Sequence, residues 1–262
     1  MPLGTAAANA AAYPRLPEQI DIANGPHDQL ARFFLLADRL ARDRGVRLSI
    51  SRDFMELLAV NQANRDSWEE MFPVVDPRFH NLRPDSTFWL RGVDAAGRVV
   101  LTRACRRIDL GTGTLRQALT SLRLLYDPAV GGEAPDELLF CDSPSAAEVT
   151  GTISFQAAGW HHPDFRGAGL SAVASRLVKA LGLAMWDVRE WISLVDDHLA
   201  PGLSRAYGVT QVEPGIEWRR YGITHRMHLF RMQMRDGEFL HDLGDFMQRH
   251  DVVPVRGVAA AP

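Results

Sequence analysis

A strand-like run, a glycine-containing turn and a long amphipathic helix follow one another in the second half of the chain. Residues 148–160 carry β-branched and aromatic side chains, and residues 170–186 carry an apolar stripe at spacings of three and four. A second apolar strand is predicted at residues 190–195. The turn before the helix reads Arg166, Gly167, Ala168 and Gly169. This order predicts an α/β chain built on one sheet.

The turn has the chemistry of an anion site. The first N–H groups of a helix lack internal acceptors, and the helix dipole adds partial positive charge there. Glycines let a phosphate approach the main chain, and the Arg166 guanidinium can bind phosphate oxygens in a fork. We therefore expect a phosphate-bearing ligand at this turn. The alternative is that the glycines serve only the geometry of the turn.

The motif resembles the pyrophosphate-binding signature of the GNAT superfamily of acyl-CoA-dependent N-acyltransferases. That signature reads Q/R-x-x-G-x-G/A between a central strand and a long helix, and Arg166, Gly169 and Ser171 occupy its three fixed positions. Serine replaces the usual glycine or alanine at the third. The resemblance extends over residues 46–234, and its specific part covers residues 160–209.

This resemblance implies a cofactor site and a co-substrate, which is acetyl-CoA or another acyl-CoA, with no metal. The main chain around residues 160–162 would bond the pantetheine arm, and the amides of residues 167–171 would hold the pyrophosphate. The implied cofactor-binding residues are Trp160, His161, His162, Arg166, Gly167, Ala168, Gly169, Leu170 and Ser171.

The catalytic groups are less well defined by the sequence. His161 or His162 could act as general base near the acyl group, or could simply pack against the main chain. The family often places a tyrosine, as general acid, at the position that is Ser204 here, whereas Tyr207 stands beside Gly208. Ser204 and Tyr207 are thus both candidates. The carboxylates of residues 196–197 could bind an amine or cap a turn.

The resemblance implies transfer of an acetyl or other acyl group to a primary amine of a small molecule or protein. A catalytically inactive GNAT-fold domain, acting as an acyl-CoA sensor or interaction module, is the alternative. A different α/β enzyme with another phosphorylated ligand is a third interpretation. The acceptor is not readable from the sequence, and a homodimer stays open.

Composition restricts the partners. The net charge of −3, with basic and acidic residues interleaved, gives no indication of nucleic-acid binding. No apolar run reaches the roughly 18 residues of a membrane span. Cys105 and Cys141 are too few for a disulfide framework and suggest thiols in a reducing cytoplasm. His225 and His228 would face opposite sides of a strand, which disfavours a metal site.

The expected architecture is a mixed central sheet flanked by helices, GNAT-like, with an N-terminal helical extension. Residues 1–26 are expected to be a disordered leader and residues 251–262 a flexible tail. Residues 27–250 would form one domain, with the helical extension at 27–70 and the core at 87–234. Two of its helices are predicted at residues 27–45 and 114–126.

Overall fold

The computed structural model describes residues 14–133, 136–235 and 237–250, and its centre is a mixed sheet of eight strands. Along the chain the strands are β1 (Arg47–Ser51), β2 (Thr87–Val93), β3 (Val99–Thr114), β4 (Leu138–Cys141), β5 (Thr150–His161), β6 (Glu190–Asp196), β7 (Gln211–Arg220) and β8 (Ile223–Gln233). Their order across the sheet is β1-β2-β3-β5-β6-β8-β7-β4.

Six α-helices among the described residues accompany the sheet. They are α1 (His27–Arg42), α2 (Phe54–Ala63), α3 (Leu115–Thr120), α4 (Leu170–Trp186), α5 (Ala200–Tyr207) and α6 (Glu238–His250). The apolar faces of α1, α4, α5 and α6 form one core on one side of the sheet. Helices α2 and α3 form a second core on the other side. This is the mixed α/β architecture that the sequence predicts.

Neighbouring strands are antiparallel with one exception, the pair β5 and β6, which is parallel. Helix α4 connects these two strands, as a parallel pair requires a crossover. All but the ends of α4 is buried, since its apolar stripe faces the sheet and α1 covers part of its outer side. The predicted boundaries of α4 are confirmed.

Local capping explains where two of the helices begin. The Asp53 carboxylate accepts hydrogen bonds from the N–H groups of Met55 and Glu56 and so starts α2. Thr114 and Gln117 form a capping box that starts α3. The predicted helix at 114–126 is wrong in length, because α3 ends at Thr120 and Leu122 adopts a left-handed φ of 59°.

The expected leader at residues 1–26 is only partly tested, and its described part is packed. Leu16 is completely buried in the core beside α1 and α4. The Gln19 side chain bonds both the N–H and the carbonyl of Ile50, and so covers the outer edge of β1. The disordered interpretation is therefore wrong for residues 14–26. Residues 1–13 and the predicted tail at 251–262 lie outside the described residues.

The structure also bears on membrane spans and on the two cysteines. In the ranges that the structure describes, no helix is long and apolar enough to cross a membrane. Cys105 and Cys141 are both free thiols inside the protein, and burial raises the pKa of each, which disfavours the nucleophilic thiolate.

Candidate functional site

Strands β5 and β6 pair at one end and diverge at the other. Their ladder covers only Ile153–Phe155 of β5 against Glu190–Ile192 of β6. The Ser193 hydroxyl adds one bond to the Gln156 carbonyl, 3.0 Å away. Beyond that point, residues 157–161 have no strand partner on the β6 side. The carboxyl ends of a parallel pair thus open into a cleft, which is where α/β proteins commonly bind ligands.

A β-bulge shapes the wall of this cleft. Ala157 pairs with Ala104 and Trp160 with Thr102, so Ala158 and Gly159 together lie opposite the single residue Arg103. Ala158 has a left-handed φ of 51°, as bulge geometry requires. Gly159 is exposed although both of its neighbours are buried. The main chain of β5 is therefore accessible at the bulge.

The predicted anion turn lies at the mouth of the cleft. Gly167 and Gly169 have φ values of 77° and 74°, which favour glycine, and Gly169 is the N-terminal cap of α4. No side chain of the described residues caps this helix. Within the described part of the chain, the N–H groups of residues 167–171 donate to no acceptor. These groups, including those of Ala168, Leu170 and Ser171, are available to an anion.

Arg166 makes contacts that the sequence did not indicate. Its guanidinium donates to the carbonyl of His161 and, at 2.9 Å, to the carbonyl of Ser67. Trp160 also donates to the Ser67 hydroxyl and stacks on Trp68 with ring centroids 5.2 Å apart. Arg166 therefore ties the loop after α2 to the end of β5, while its side chain remains partly exposed to an incoming ligand.

Arg44 is a second cation at this turn, and it was not predicted from the sequence. It follows α1 by two positions, donates to the Ala168 carbonyl, and places its Nη2 3.8 Å from where a Gly169 Cβ would stand. Nothing in the sequence relates Arg44 to a turn more than a hundred residues later. The packing of α1 against α4 brings them together.

The two histidines differ in surroundings. Burial, followed by the nearby Arg103 and Arg166 cations, lowers the pKa of His161 to about 3, so this ring is neutral at physiological pH. Its Nε2 is covered and makes no hydrogen bond within the described residues. His162 instead accepts a bond from the Asp164 N–H and contacts Arg98. His162 thus serves the turn, and His161 borders the cleft.

The two candidate general acids, Ser204 and Tyr207, lie in different surroundings. The Ser204 hydroxyl donates to the Pro201 carbonyl within its own helix. Tyr207 is buried at the end of α5, with its ring packed edge-on against Trp191 and Phe230. The Arg103 guanidinium lies 4.5 Å from the Tyr207 ring centroid. Tyr207, and not Ser204, therefore lies beside the bulge.

Carboxylates border the cleft at the end of β6. Asp196 is half-buried, and its burial together with the nearby Glu69 raises the pKa of its carboxyl group. The Oδ1 of Asp197 instead lies 3.0 Å from the Nδ1 of His228. Glu69 belongs to the same loop as Trp68, so this loop and the end of β6 form one wall. The sequence predicted the carboxylates at 196–197 but not Glu69.

Two buried cations near the cleft were not predicted from the sequence. Arg103 is 2% exposed, and Lys179, the single lysine of the chain, is completely buried in α4. Lys179 donates to the Tyr207 carbonyl and lies 4.5 Å from the Trp191 ring centroid. Burial lowers the pKa of Lys179 to about 7. A basic residue inside a strongly apolar stretch was the available sequence signal for both.

The chain was compared with known protein families, curated proteins and solved structures. No protein-family model matches the chain, and no curated protein matches its sequence. Among solved structures, NAA60 of Arabidopsis thaliana in complex with a bisubstrate analogue is 10% identical, with 71% of this chain and 97% of that chain covered and a TM-score of 0.44. The spermidine/spermine N-acetyltransferase SpeG of Vibrio cholerae is 9% identical, covering 75% and 97% with a TM-score of 0.44.

A further match is yncA, an acetyltransferase of Salmonella typhimurium with its cofactor acetyl-CoA. It is 13% identical, covers 72% of this chain and 95% of that chain, and has a TM-score of 0.36. The mixed sheet flanked by helices is itself the architecture that the resemblance predicts.

Proposed function

We propose that this chain binds an acyl-CoA in the cleft between β5 and β6 and transfers the acyl group to a primary amine. The observation that carries the proposal is the set of unpaired N–H groups at residues 167–171, directly beside a strand edge that has no partner. One feature suits a pyrophosphate and the other suits an extended chain of amides, and acyl-CoA contains both.

The pyrophosphate would lie on the N-terminus of α4. Five main-chain N–H groups and the helix dipole favour a dianion there. Arg44 and Arg166 flank the turn, and each already bonds a nearby carbonyl, so both are held close to the incoming charge. The space at Gly167 is open, because a Cβ built there meets nothing within 4 Å.

The pantetheine arm would extend along β5 as an added strand. Residues 157–161 offer main-chain groups on the open edge, and peptide-like amides can pair with such an edge. An arm that starts at the turn and follows β5 towards its beginning reaches the bulge at Ala158 and Gly159. The thioester would then sit where the β5 main chain is accessible, and main-chain N–H groups can polarise its carbonyl.

The proton transfers would use groups on the two walls. The amine nitrogen attacks the thioester carbon, the carbon–sulfur bond breaks, and the thiolate takes up a proton. Asp196, with its raised pKa and with Glu69 nearby, is suited to bind the amine and accept its proton. Tyr207 is suited to protonate the thiolate, since it lies next to the bulge. The low pKa of His161 makes it the weaker base.

Calorimetry with acetyl-CoA tests the cofactor site. Gly169→Glu places bulk and negative charge against the pyrophosphate, and we expect it to abolish binding. Gly111→Glu is the matched control, because Gly111 also has a positive φ, 59°, and open space around its Cβ position. Gly111 lies near the opposite end of β3 from the residues that pair with the bulge. If Gly169→Glu binds acetyl-CoA as tightly as Gly111→Glu does, the proposed cofactor site is refuted.

Acyl-CoA binding without transfer is the second candidate function. It is favoured by Ser204, which stands at the usual tyrosine position and bonds its own helix. Release of free CoA, measured with acetyl-CoA and a broad panel of primary amines, separates the two. Turnover with any amine supports the transferase, whereas binding without turnover across the panel supports the sensor.

A further inference from the structure

Arg103 is a buried cation, and N–H groups on the edge of its guanidinium have no hydrogen-bond partner among the described residues. The side chain is 2% exposed, and the Tyr207 ring covers one face of its guanidinium at 4.5 Å. A ring face does not accept the in-plane N–H groups, and Nε and Nη1 make no hydrogen bond to any described residue. No carboxylate in the described ranges lies within ion-pair distance of it.

Such an arrangement is costly unless a partner is supplied. A buried charge without a counter-charge destabilises a fold by several kcal/mol, and native proteins rarely retain unpaired buried donors. Lys179 lies near the positive charges of both Arg103 and Arg176, and Arg176 is paired with the Asp242 carboxylate. Arg103 has no such partner among the described residues.

The position of Arg103 relates it to the cleft. It lies directly opposite Ala158 and Gly159 in the bulge. Its Nη2 is 3.1 Å from where a Gly159 Cβ would stand, so the guanidinium lies against the exposed main chain of that glycine. The covered and unpaired Nε2 of His161 is a second polar atom beside the same cation. Both groups therefore lie beside the bulge, where the proposed function places the acyl group.

We propose that Arg103 recognises a carboxylate at the end of the acyl chain, so that the preferred acyl donor is the CoA thioester of a dicarboxylic acid. This inference rests on the proposed function, because it needs the thioester at the bulge. A guanidinium edge matches a carboxylate with two parallel hydrogen bonds, which an acetyl methyl group cannot offer. The His161 Nε2 can donate a third bond in the tautomer that protonates it.

Calorimetry on the whole chain tests the inference with pairs of matched length. Malonyl-, succinyl- and glutaryl-CoA are compared with propionyl-, butyryl- and valeryl-CoA, and free CoA is the reference. We expect at least one dicarboxylic thioester to bind about 10-fold or more tightly than its matched partner. Arg103→Met should remove this preference and leave the affinity for free CoA within about twofold.

Two further variants control the result. Arg107→Met removes an exposed arginine from the same strand and should leave the preference unchanged. Arg103→Lys keeps the charge but loses the fork, and should retain only part of the preference. If Arg103→Met does not fold, the test is the preference for dicarboxylic thioesters in the native chain and its reduction in Arg103→Lys.

The outcomes separate this inference from the proposed function. Failure of free CoA and of every thioester to bind would refute the cofactor site itself. Binding of CoA with no preference for any dicarboxylic thioester would overturn the role of Arg103 and leave the cofactor site standing. A uniform loss of affinity for all ligands in Arg103→Met would show that Arg103 only supports the fold, and would also overturn the inference.

Discussion

Replacing Lys179 with methionine should change the stability of the protein in a way that reverses with pH. Lys179 is completely buried, and its pKa falls from 10.5 to about 7 because burial penalises the charged form. The unfolded chain therefore binds more protons than the folded chain between these two values. By linkage, the free energy of unfolding rises with pH across this window and is flat below it.

The magnitude follows from the size of the shift. Each pKa unit corresponds to about 1.4 kcal/mol, so the lowering from 10.5 to about 7 costs the folded state about 5 kcal/mol at low pH. Methionine removes this cost and packs against Trp191 with similar length. It also leaves the Tyr207 carbonyl without its donor, at about 1–3 kcal/mol. We expect Lys179→Met to be about 2 kcal/mol more stable than the native protein near pH 7.

The native protein should become the more stable of the two near pH 10, where its lysine is neutral in the folded state and still about three-quarters protonated in the unfolded one. The cost of burying the lysine has then fallen to about 1 kcal/mol, whereas methionine still leaves the Tyr207 carbonyl without its donor. Urea titrations of both proteins in steps from about pH 7 to pH 10 measure the difference, and effects of tyrosines and cysteines cancel in it. Because Lys179 is the only lysine, its ¹⁵N-labelled amine gives one assignable NMR signal. A stability difference that does not vary with pH, or an amine that titrates near 10, would refute the reasoning.

Three other changes have defined outcomes. Leu16→Ala should lower the free energy of unfolding by about 2–4 kcal/mol in urea titration, since the side chain is fully buried; an unchanged midpoint would restore the leader interpretation. Asp53→Ala removes the cap of α2 and should cost about 1 kcal/mol by thermal melting, and no shift would mean that solvent replaces the cap. Tyr207→Phe keeps the ring on Arg103 and should reduce kcat about 100-fold with acetyl-CoA affinity unchanged; an unchanged kcat would assign the proton to water.

The sequence alone determined the local elements of the site. Helix α4 ends where the apolar spacing of its sequence ends, and it begins after two glycines that adopt positive φ. Both are properties of neighbouring residues, so periodicity and turn chemistry suffice to predict them. The same reasoning failed at residues 121–126, where apolar spacing continues but the left-handed Leu122 ends the helix.

Only the tertiary structure decided which distant residues meet at the turn and the bulge. Arg44, Glu69 and Arg103 come from three separate segments of the chain. The packing of α1 on α4 brings Arg44 to the turn, and the β3–β5 register places Arg103 opposite the bulge. The register also decides that two residues of β5 oppose Arg103, which exposes Gly159 and leaves a guanidinium edge unpaired. Contacts of this kind depend on how strands align across the sheet, and a one-residue slip would remove them, so no local pattern in the sequence encodes them.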